Sequence, residues 1–339
     1  MNYQESKAAS KELLKVDAEL DRALRPRQLA DFIGQDKIKE NLSIFIEAEK
    51  VRGGSLDHVL LSGPPGLGKT TLAGIISHEL DVRMTITSGP ALESKKDIAS
   101  ILTNLEKNDV LFIDEIHRIS RPIEEMLYPA LEDFALDILL GSGLSARPLR
   151  FELKPFTLIG ATTRSGLLTS PLRDRFGVTF RLDYYSEEEI AVIIRRSAKL
   201  LRVMIEDSGA DALAIRCRGT PRIANRLLKR VFDFAIIRSD GTINEKIVND
   251  SLNMLEIDEM GLDSLDIKIL DTIIKKFNGG PVGLNTLSVS IEEETDTIED
   301  VYEPYLLRQG LIQRTSRGRV ATKKAYEHLG IEVQEGRLF

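Results

Sequence analysis

The chain has 339 residues, of which 42% are hydrophobic and 29% charged, and its formal net charge is −7. This composition is typical of a globular protein of two or three domains and excludes a largely disordered chain. The longest apolar runs have the length of strands, far below the roughly 20 residues that a membrane span needs. An acidic net charge also excludes a surface that is basic throughout, so any contact with nucleic acid must be a local patch.

Cys217 is the only cysteine, so no intrachain disulfide can form. The first 21 residues are polar and lack the apolar core of a signal peptide. Both features predict a cytoplasmic protein with a short N-terminal tail. The four histidines are dispersed without cysteine or carboxylate partners at ligand spacing, which argues against a zinc site.

Residues 22–184 alternate short apolar runs with helix-like stretches, a pattern typical of a parallel sheet covered by helices. The segment therefore predicts one large α/β domain. Its predicted strands are residues 58–61, 84–87, 110–113, 156–161 and 179–182.

Within this domain, residues 135–152 form two apolar alternations around a Gly-Ser-Gly turn, which predicts an inserted β-hairpin. Three leucines lie near the turn: Leu139, Leu140 and Leu144. The residues by themselves slightly favour a hairpin buried against a core. A prong that binds a partner is the alternative.

The rest of the chain predicts two smaller domains. Residues 185–257 are helical throughout, and Ser186 followed by Glu189 predicts a capping box at the start of the first helix. After a short linker, residues 258–339 contain three short helical patterns and a hairpin at 310–322. That arrangement is typical of a winged helix.

Residues 63–70, Gly-Pro-Pro-Gly-Leu-Gly-Lys-Thr, match the P-loop pattern and stand between a predicted strand and a predicted helix. Gly66 and Gly68 let backbone N–H groups approach phosphates, while Lys69 supplies a positive charge. Thr70 is the expected Mg²⁺ ligand. A chance glycine turn is the alternative, and the flanking strand and helix argue against it. The motif predicts a site for ATP and Mg²⁺.

The strand at 110–113 runs into Asp114 and Glu115, the two acids that complete a P-loop site. Asp114 is expected to hold Mg²⁺, mostly through water. Glu115 is expected to orient the water that attacks the γ-phosphate. Two acids at a strand end are also common in solvated turns, but the P-loop upstream favours the catalytic interpretation.

Three further residues suit a site that hydrolyses ATP. Thr163 follows a strand at the sheet edge where ligands of such folds bind, although threonine there is often only a ladder residue or a cap. Arg175 carries a planar donor suited to the γ-phosphate of a neighbouring subunit, with a surface ion pair as the plain alternative. Arg222 opens a helix in the second domain and is a candidate sensor of bound ATP.

These strings resemble AAA+ ATPases, and in detail they resemble the RuvB family of that class. The resemblance runs from Leu24 to Gly330 and includes residues 114–117, 160–164, 172–177 and 219–222. It implies an α/β P-loop (AAA+) domain with a parallel sheet, an all-helical lid domain and a C-terminal winged-helix domain.

The resemblance also implies functional residues. Arg175 corresponds to the arginine finger, and Arg314 and Arg319 of the wing correspond to contacts with the DNA backbone, which neutralise phosphates without reading bases. A local basic patch is extended by Arg308, Arg317, Lys323 and Lys324, with a solvated face as the plain alternative. Thr295 stands where RuvB proteins often have arginine and leaves that phosphate contact open. The residues implied to border the nucleotide are Leu24, Arg25, Gly66, Gly68, Lys69, Thr70, Thr71, Glu132, Asp133, Phe134, Arg175, Tyr185 and Arg222.

For the hairpin, the resemblance reverses the preference: it implies a prong that docks on RuvA, with Leu139, Leu140 and Leu144 as candidate anchors. It further implies a homohexameric ring on duplex DNA that drives branch migration of Holliday junctions with RuvA and RuvC, in recombination, repair and the SOS response. Two rivals remain. One is another AAA+ ATPase such as a clamp-loader subunit, and the other is a nucleotide-controlled switch that reads a DNA sequence.

Overall fold

The structure of the chain, a computed structural model, describes residues 23–140 and 147–332, without the side chains of 138–140 and 147–148. The described residues divide into two compact units between residues 185 and 186. Among them, no helix is both long enough and apolar enough to cross a membrane.

The first unit contains a five-stranded parallel sheet and an antiparallel hairpin. The strands are β1 (Val59–Ser62), β2 (Met84–Ser88), β3 (Val110–Asp114), β4 (Ala135–Leu140), β5 (Arg147–Glu152), β6 (Thr157–Thr162) and β7 (Val178–Arg181). The sheet order is β2-β3-β6-β1-β7, and β4 pairs with β5. Its helices are α1 (Asp36–Arg52), α2 (Lys69–Glu79), α3 (Lys95–Thr103), α4 (Arg121–Glu132) and α5 (Ser170–Arg173).

The three central strands are buried along almost their whole length, because helices cover both faces of a parallel sheet. Their sequences are accordingly continuous apolar runs rather than alternations. Phe112 and Phe156 are among the largest fully buried side chains. Each of the five strands predicted from sequence is confirmed, and each bound differs by at most one residue.

The hairpin has a buried base and exposed apolar side chains further along β5, and partner binding there stays a prediction. At its base Leu136 is fully buried in the core, opposite Phe151 in the register of β4 and β5. Phe151 and Leu149, two residues apart on β5, are 43% and 45% exposed. Leu139 and Leu140 belong to β4, but their side chains are not described, and Leu144 lies outside the described residues.

The second unit begins with four helices, the lid segment, and continues into the winged-helix segment. The lid helices are α6 (Glu187–Leu201), α7 (Asp207–Ile215), α8 (Pro221–Arg238) and α9 (Glu245–Met254). The winged-helix segment contains α10 (Ser264–Asp271), α11 (Leu284–Ile291), α12 (Thr295–Thr297), α13 (Glu303–Arg308), β8 (Ile312–Thr315), β9 (Gly318–Ala321) and α14 (Lys323–His328). π-helical turns Thr272–Lys276 and Ile298–Tyr302 follow α10 and α12.

Local sequence explains where these helices begin and how the wing closes. The predicted capping box is confirmed: the Ser186 hydroxyl accepts from the Glu189 N–H, and Glu189 accepts from the Ser186 N–H. Asp263 and Asp266 form a second capping box at α10. The predicted hairpin at 310–322 is present as β8 and β9, with Arg314 opposite Arg319.

Candidate ATPase active site

The P-loop connects β1 to α2 at the carboxyl edge of the sheet. Gly63 has a φ of 137°, and a Cβ there would lie 2.4 Å from the Leu182 carbonyl oxygen, so the position requires glycine. Lys69 is only 7% exposed, and its Nζ donates to the carbonyl oxygens of Gly63 at 2.7 Å and Pro64 at 2.9 Å. The ammonium is therefore held against the loop that would wrap the phosphates.

Thr70 and Thr71 lie in the first turn of α2, directly after Lys69, and are half-buried. The free N–H groups and the dipole of this eleven-residue helix favour negative charge at its start. The loop, the lysine and the helix thus converge on one place and suit a polyphosphate.

The neighbouring strand β3 brings the two acids to the same edge. Asp114 ends the strand, and its Oδ1 accepts from the Glu115 N–H at 3.0 Å. Glu115 adopts a left-handed backbone with φ of 50°, which ends β3 and turns its side chain out of the ladder. One carboxylate thus stands at the strand end, beside the P-loop, and the other just beyond it.

His117 links Glu115 to the adjacent strand. Its Nε2 lies 3.4 Å from Glu115 Oε2, and its Nδ1 lies 2.9 Å from the Thr162 hydroxyl at the end of β6. The Thr162 hydroxyl also accepts from the Arg164 N–H. The His117 side chain is 6% exposed and that of Glu115 is 36% exposed, so the contacts lead from the buried end of β6 to a partly exposed carboxylate. From the sequence, only the position of His117 next to the acids was identified.

Thr163 follows β6 at the same edge. Its hydroxyl oxygen is buried and has no hydrogen-bond partner among the described residues. A buried hydroxyl without a partner is costly in a folded protein, so the site is built for a group that binds there. A water or a phosphate oxygen suits this hydroxyl.

Aromatic side chains support the P-loop from behind. The Tyr185 hydroxyl donates to the Leu67 carbonyl oxygen at 3.0 Å, and Tyr185 is 6% exposed. A Cβ on Gly68 would lie 3.3 Å from the Phe32 ring. Leu24 is 3% exposed and Arg25 is half-buried. Tyr185, one of the residues implied to border the nucleotide, is thus in direct contact with the P-loop.

Arg175 lies at the opposite edge of the sheet. It precedes β7, whose Val178 pairs with Val59 at the start of β1, whereas the P-loop follows the end of β1. A four-residue strand separates the two edges by roughly 13 Å. Within one chain, therefore, the structure does not bring Arg175 together with Lys69.

Contacts with three residues hold the Arg175 guanidinium in place. Its Nη2 lies 2.7 Å from Glu132 Oε2, its Nη1 donates to the Pro171 carbonyl oxygen, and it stacks 4.6 Å from the centre of the Tyr128 ring. Burial raises the pKa of Tyr128, so its hydroxyl stays protonated and donates to Glu124. Arg175 Nε is buried without a partner among the described residues.

Glu132, Asp133 and Phe134 share the edge of Arg175. Asp133 pairs with Arg150 of the hairpin at 2.7 Å. The Phe134 ring packs against Phe156 and against His58, which precedes β1. Burial lowers the pKa of His58, and the neutral ring donates from Nε2 to the Leu131 carbonyl oxygen and accepts the Leu158 N–H at Nδ1. These residues cannot line the nucleotide of their own chain.

Arg222 lies in the second unit, in the first turn of α8, and is exposed. The loop before it carries two consecutive left-handed residues, Arg218 and Gly219. Its role toward a nucleotide stays a prediction.

In the wing, the two arginines differ in environment. The Arg314 side chain is 53% exposed and pairs with Glu299 at 2.6 Å. Arg319 is 7% exposed and forms a bidentate pair with the buried Glu303, at 3.0 Å and 2.7 Å. Arg319 thus holds β9 against α13, and only a small part of its guanidinium reaches the surface.

Arg308, a member of the expected basic patch, is exposed but also contacts residues of its own unit. Its Nη2 donates to the Arg218 carbonyl oxygen at 2.9 Å, and its guanidinium lies 5.3 Å from the centre of the Tyr305 ring. Its place in a basic patch stays a prediction, since a guanidinium can pack on an aromatic ring and still present its charge to solvent.

Together, the strand–loop–helix with its lysine, the acids after β3 and the lid segment define a P-loop ATPase of the AAA+ type. Family models match nearly the whole chain. Residues 24–182 match the Holliday junction DNA helicase RuvB P-loop domain, 185–258 the RuvB AAA lid domain, and 259–330 the RuvB C-terminal winged helix domain.

Individual relatives support the same family assignment as the family models. The Holliday junction branch migration complex subunit RuvB of Dehalococcoides mccartyi (strain CBDB1) is 58% identical over 334 residues, 98% of this chain and 96% of that protein. The solved Thermotoga maritima RuvB Holliday junction branch migration motor is 53% identical, with a TM-score of 0.84, over 92% of this chain and all of that one. A point mutant of the same protein has a TM-score of 0.86. The chain belongs to the RuvB family.

The unpaired Thr163 hydroxyl leads to a prediction. Replacing Thr163 by Val keeps the shape but removes the hydroxyl, so steady-state ATP hydrolysis should fall by about a hundredfold. Binding of a fluorescent ATP analogue should change by less than about threefold, since the P-loop supplies most contacts with the phosphates.

The matched control is Thr163→Ser, which keeps the hydroxyl and should retain most of the activity. A Thr163→Val protein that hydrolyses ATP at the wild-type rate would show that the hydroxyl takes no part in hydrolysis.

Proposed function

We propose that the chain is the ATP-driven subunit of a ring motor that moves duplex DNA and drives branch migration of Holliday junctions in recombination and repair. The observation that carries the proposal is the separation of its catalytic groups. Lys69, Asp114 and Glu115 stand at the carboxyl edge of the sheet, and Arg175 at the amino edge. A complete site then needs two copies of the chain.

Within one subunit, Lys69 binds the β- and γ-phosphates of ATP and the start of α2 receives their charge. Thr70 and Asp114 would hold Mg²⁺, which neutralises charge on the phosphates when bound. Glu115, oriented through His117, polarises the attacking water. The Thr163 hydroxyl donates a hydrogen bond to that water or to the γ-phosphate.

The neighbouring subunit supplies Arg175, and with it Glu132, Asp133 and Phe134 at the same edge. In a ring where the carboxyl edge of each sheet meets the amino edge of the next, every ATP site receives an Arg175 from its neighbour. We propose that the ring contains six copies. Such a head-to-tail contact closes only as a ring. Hydrolysis in the isolated subunit should consequently be slow, because the finger contributes about 10³-fold or more.

The winged-helix segment is proposed to hold DNA by its backbone. Arg314 neutralises phosphate, and Arg319 contributes through the exposed part of its guanidinium while it positions the wing. Glu299, beside Arg314, repels phosphate and disfavours deep insertion into a groove. Movement along DNA is then independent of base sequence.

The hairpin is proposed as the docking site for RuvA, which supplies junction specificity, and RuvC as a further partner on the same complex. Leu149 and Phe151 join the anchors expected from sequence, Leu139, Leu140 and Leu144, because both are large, apolar and exposed at a prong. We further propose that the complex acts in the cytoplasm.

The proposed function is tested with a synthetic four-way junction and purified protein, with and without RuvA. Migration should require ATP and increase with RuvA. It should fall at least about a thousandfold in Glu115→Gln and in Arg175→Ala, because each removes one half of a shared site.

Mixing the two inactive proteins distinguishes a shared site from two independent defects. Some interfaces of a mixed ring combine an intact Glu115 with an intact Arg175, so ATP hydrolysis should partly recover. A mixture as inactive as its components would contradict completion of the site by a neighbour. ATP hydrolysis without junction movement would favour a clamp loader or a switch.

For the hairpin, the double change Leu149→Ala and Phe151→Ala should weaken RuvA binding by about tenfold to a hundredfold, since it truncates two exposed apolar anchors. ATP hydrolysis without RuvA should be unchanged. Val51→Ala, an 88% exposed apolar residue on α1, is the matched control. RuvA affinity is measured by surface plasmon resonance. Equal affinity in the double variant and the Val51→Ala control would show that Leu149 and Phe151 are not part of the docking site.

For the wing, Arg314→Ala should weaken duplex binding equally for duplexes of unrelated sequence. Fluorescence anisotropy at several salt concentrations should give a slope of log K against log salt that is smaller by about one, since one phosphate contact is lost. Lys275→Ala, an exposed lysine paired with Asp271, is the control. A loss confined to one base sequence would instead indicate that the wing reads bases.

A further inference from the structure

A buried ionic cluster joins the lid segment to the winged-helix segment at Arg218. This arginine lies in the loop between α7 and α8, and its side chain is 10% exposed. Its Nη2 donates to Oδ2 of the fully buried Asp266 on α10 and lies 3.4 Å from Asp263. Its Nε donates to the Gly261 carbonyl oxygen at 2.7 Å. One side chain thus contacts both the linker and the first helix of the winged segment.

A second layer encloses the same arginine. The Tyr305 ring on α13 lies 4.9 Å from the Arg218 guanidinium, and Arg308 stacks on the same ring. Arg308 donates to the Arg218 carbonyl oxygen, and the Tyr305 hydroxyl donates to the Met260 carbonyl oxygen. The loop is therefore held at its side chain and at its backbone.

The linker approaches the lid as closely as a glycine permits. Gly261 has a φ of 75°, and a Cβ there would lie 2.6 Å from the Arg216 carbonyl oxygen. On the other side of Arg218, Gly219 is also left-handed and Thr220 is buried before α8 begins at Pro221. Only three residues separate Arg218 from Arg222, so a tight and well-packed turn connects the two arginines.

The charges in this cluster depend on one another. Burial raises the pKa of Asp266 to about 7, and the Arg218 guanidinium is the main charge that opposes this rise. Removing the arginine would leave a desolvated carboxyl without its counter-charge, and such a group takes up a proton or draws in water. The packing between loop and α10 would then loosen.

We propose that Arg218 is the positioning residue that couples the nucleotide-sensing loop to the winged-helix segment, so that a movement of Arg222 is transmitted to the wing. The inference rests on the proposed function, because it concerns how ATP hydrolysis becomes DNA movement. Arg218 touches neither ATP nor DNA. It acts by keeping the lid loop, the linker and α10 in one rigid piece.

The test measures coupling and geometry together in Arg218→Ala. Base pairs migrated per ATP hydrolysed should fall at least about tenfold, while DNA-stimulated ATP hydrolysis and duplex affinity should stay within about twofold of wild type. Arg195→Ala is the matched control. Arg195 pairs with Asp207 and Asp211 inside the lid segment and should leave the coupling ratio unchanged.

The distance between the lid and the winged-helix segment is measured by double electron–electron resonance. Spin labels are attached at Asp233→Cys on α8 and Glu327→Cys on α14, and the labelled protein is diluted with unlabelled subunits. Cys217 needs no replacement, because it is fully buried and burial raises the pKa of its thiol far above the usual range. The distance distribution should be narrow in the labelled protein with Arg218 intact and in its Arg195→Ala control. It should be broad in the labelled Arg218→Ala protein.

The outcomes separate the inference from the function on which it rests. If wild-type protein does not migrate junctions, the proposed function fails. If it does, and Arg218→Ala keeps both its coupling ratio and a narrow distribution, the inference is overturned. Should Arg218→Ala not fold, Arg308→Ala removes the contact to the loop backbone and must lower the coupling ratio at least threefold; an unchanged ratio overturns the inference equally.

Discussion

The parallel direction of five strands is the constraint on which the active site depends. Because every strand of the sheet runs the same way, the P-loop after β1, the acids after β3 and Thr163 after β6 all emerge at one edge. The apolar runs that bury the central strands need helices on both faces, and the crossovers that supply those helices keep the strands parallel. The chemistry at the edge follows from how the core is covered.

The same constraint separates Arg175 from the phosphates. Its segment enters the sheet at the start of β7 and joins Glu132 at the end of α4, one strand length away from Lys69. A finger at the far edge cannot serve its own P-loop without unfolding the sheet. The proposed dependence of hydrolysis on a neighbour follows from this fold of the single chain, and it would make the activity sensitive to assembly.

The second unit shows how an acidic protein manages charge around a DNA-binding element. Glu303 neutralises Arg319 inside the wing, Glu299 pairs with Arg314 at its surface, and the exposed Arg308 packs on Tyr305. The same segment carries further positive charge at its surface, on Arg308, Arg317, Lys323 and Lys324. The buried Arg218–Asp266 pair differs in kind, because it lies between segments and specifies how they dock.

The sequence by itself determined the strands of the sheet to within a residue, the P-loop, the acids of β3, the two hairpins and the capping box at Ser186. These are local patterns, in which the periodicity of apolar residues or the spacing of a motif is sufficient. The candidate roles of Arg175 and Arg222 also came from the residues, and the family resemblance added those of Arg314 and Arg319, which no local pattern defines. Only the tertiary structure decided which side chains meet. It joined His117 to Thr162, buried Arg319 against Glu303 and placed residues 132–134 at the edge of Arg175. Such contacts link residues tens of positions apart, and their partners are set by the packing of strands and helices rather than by their neighbours in sequence.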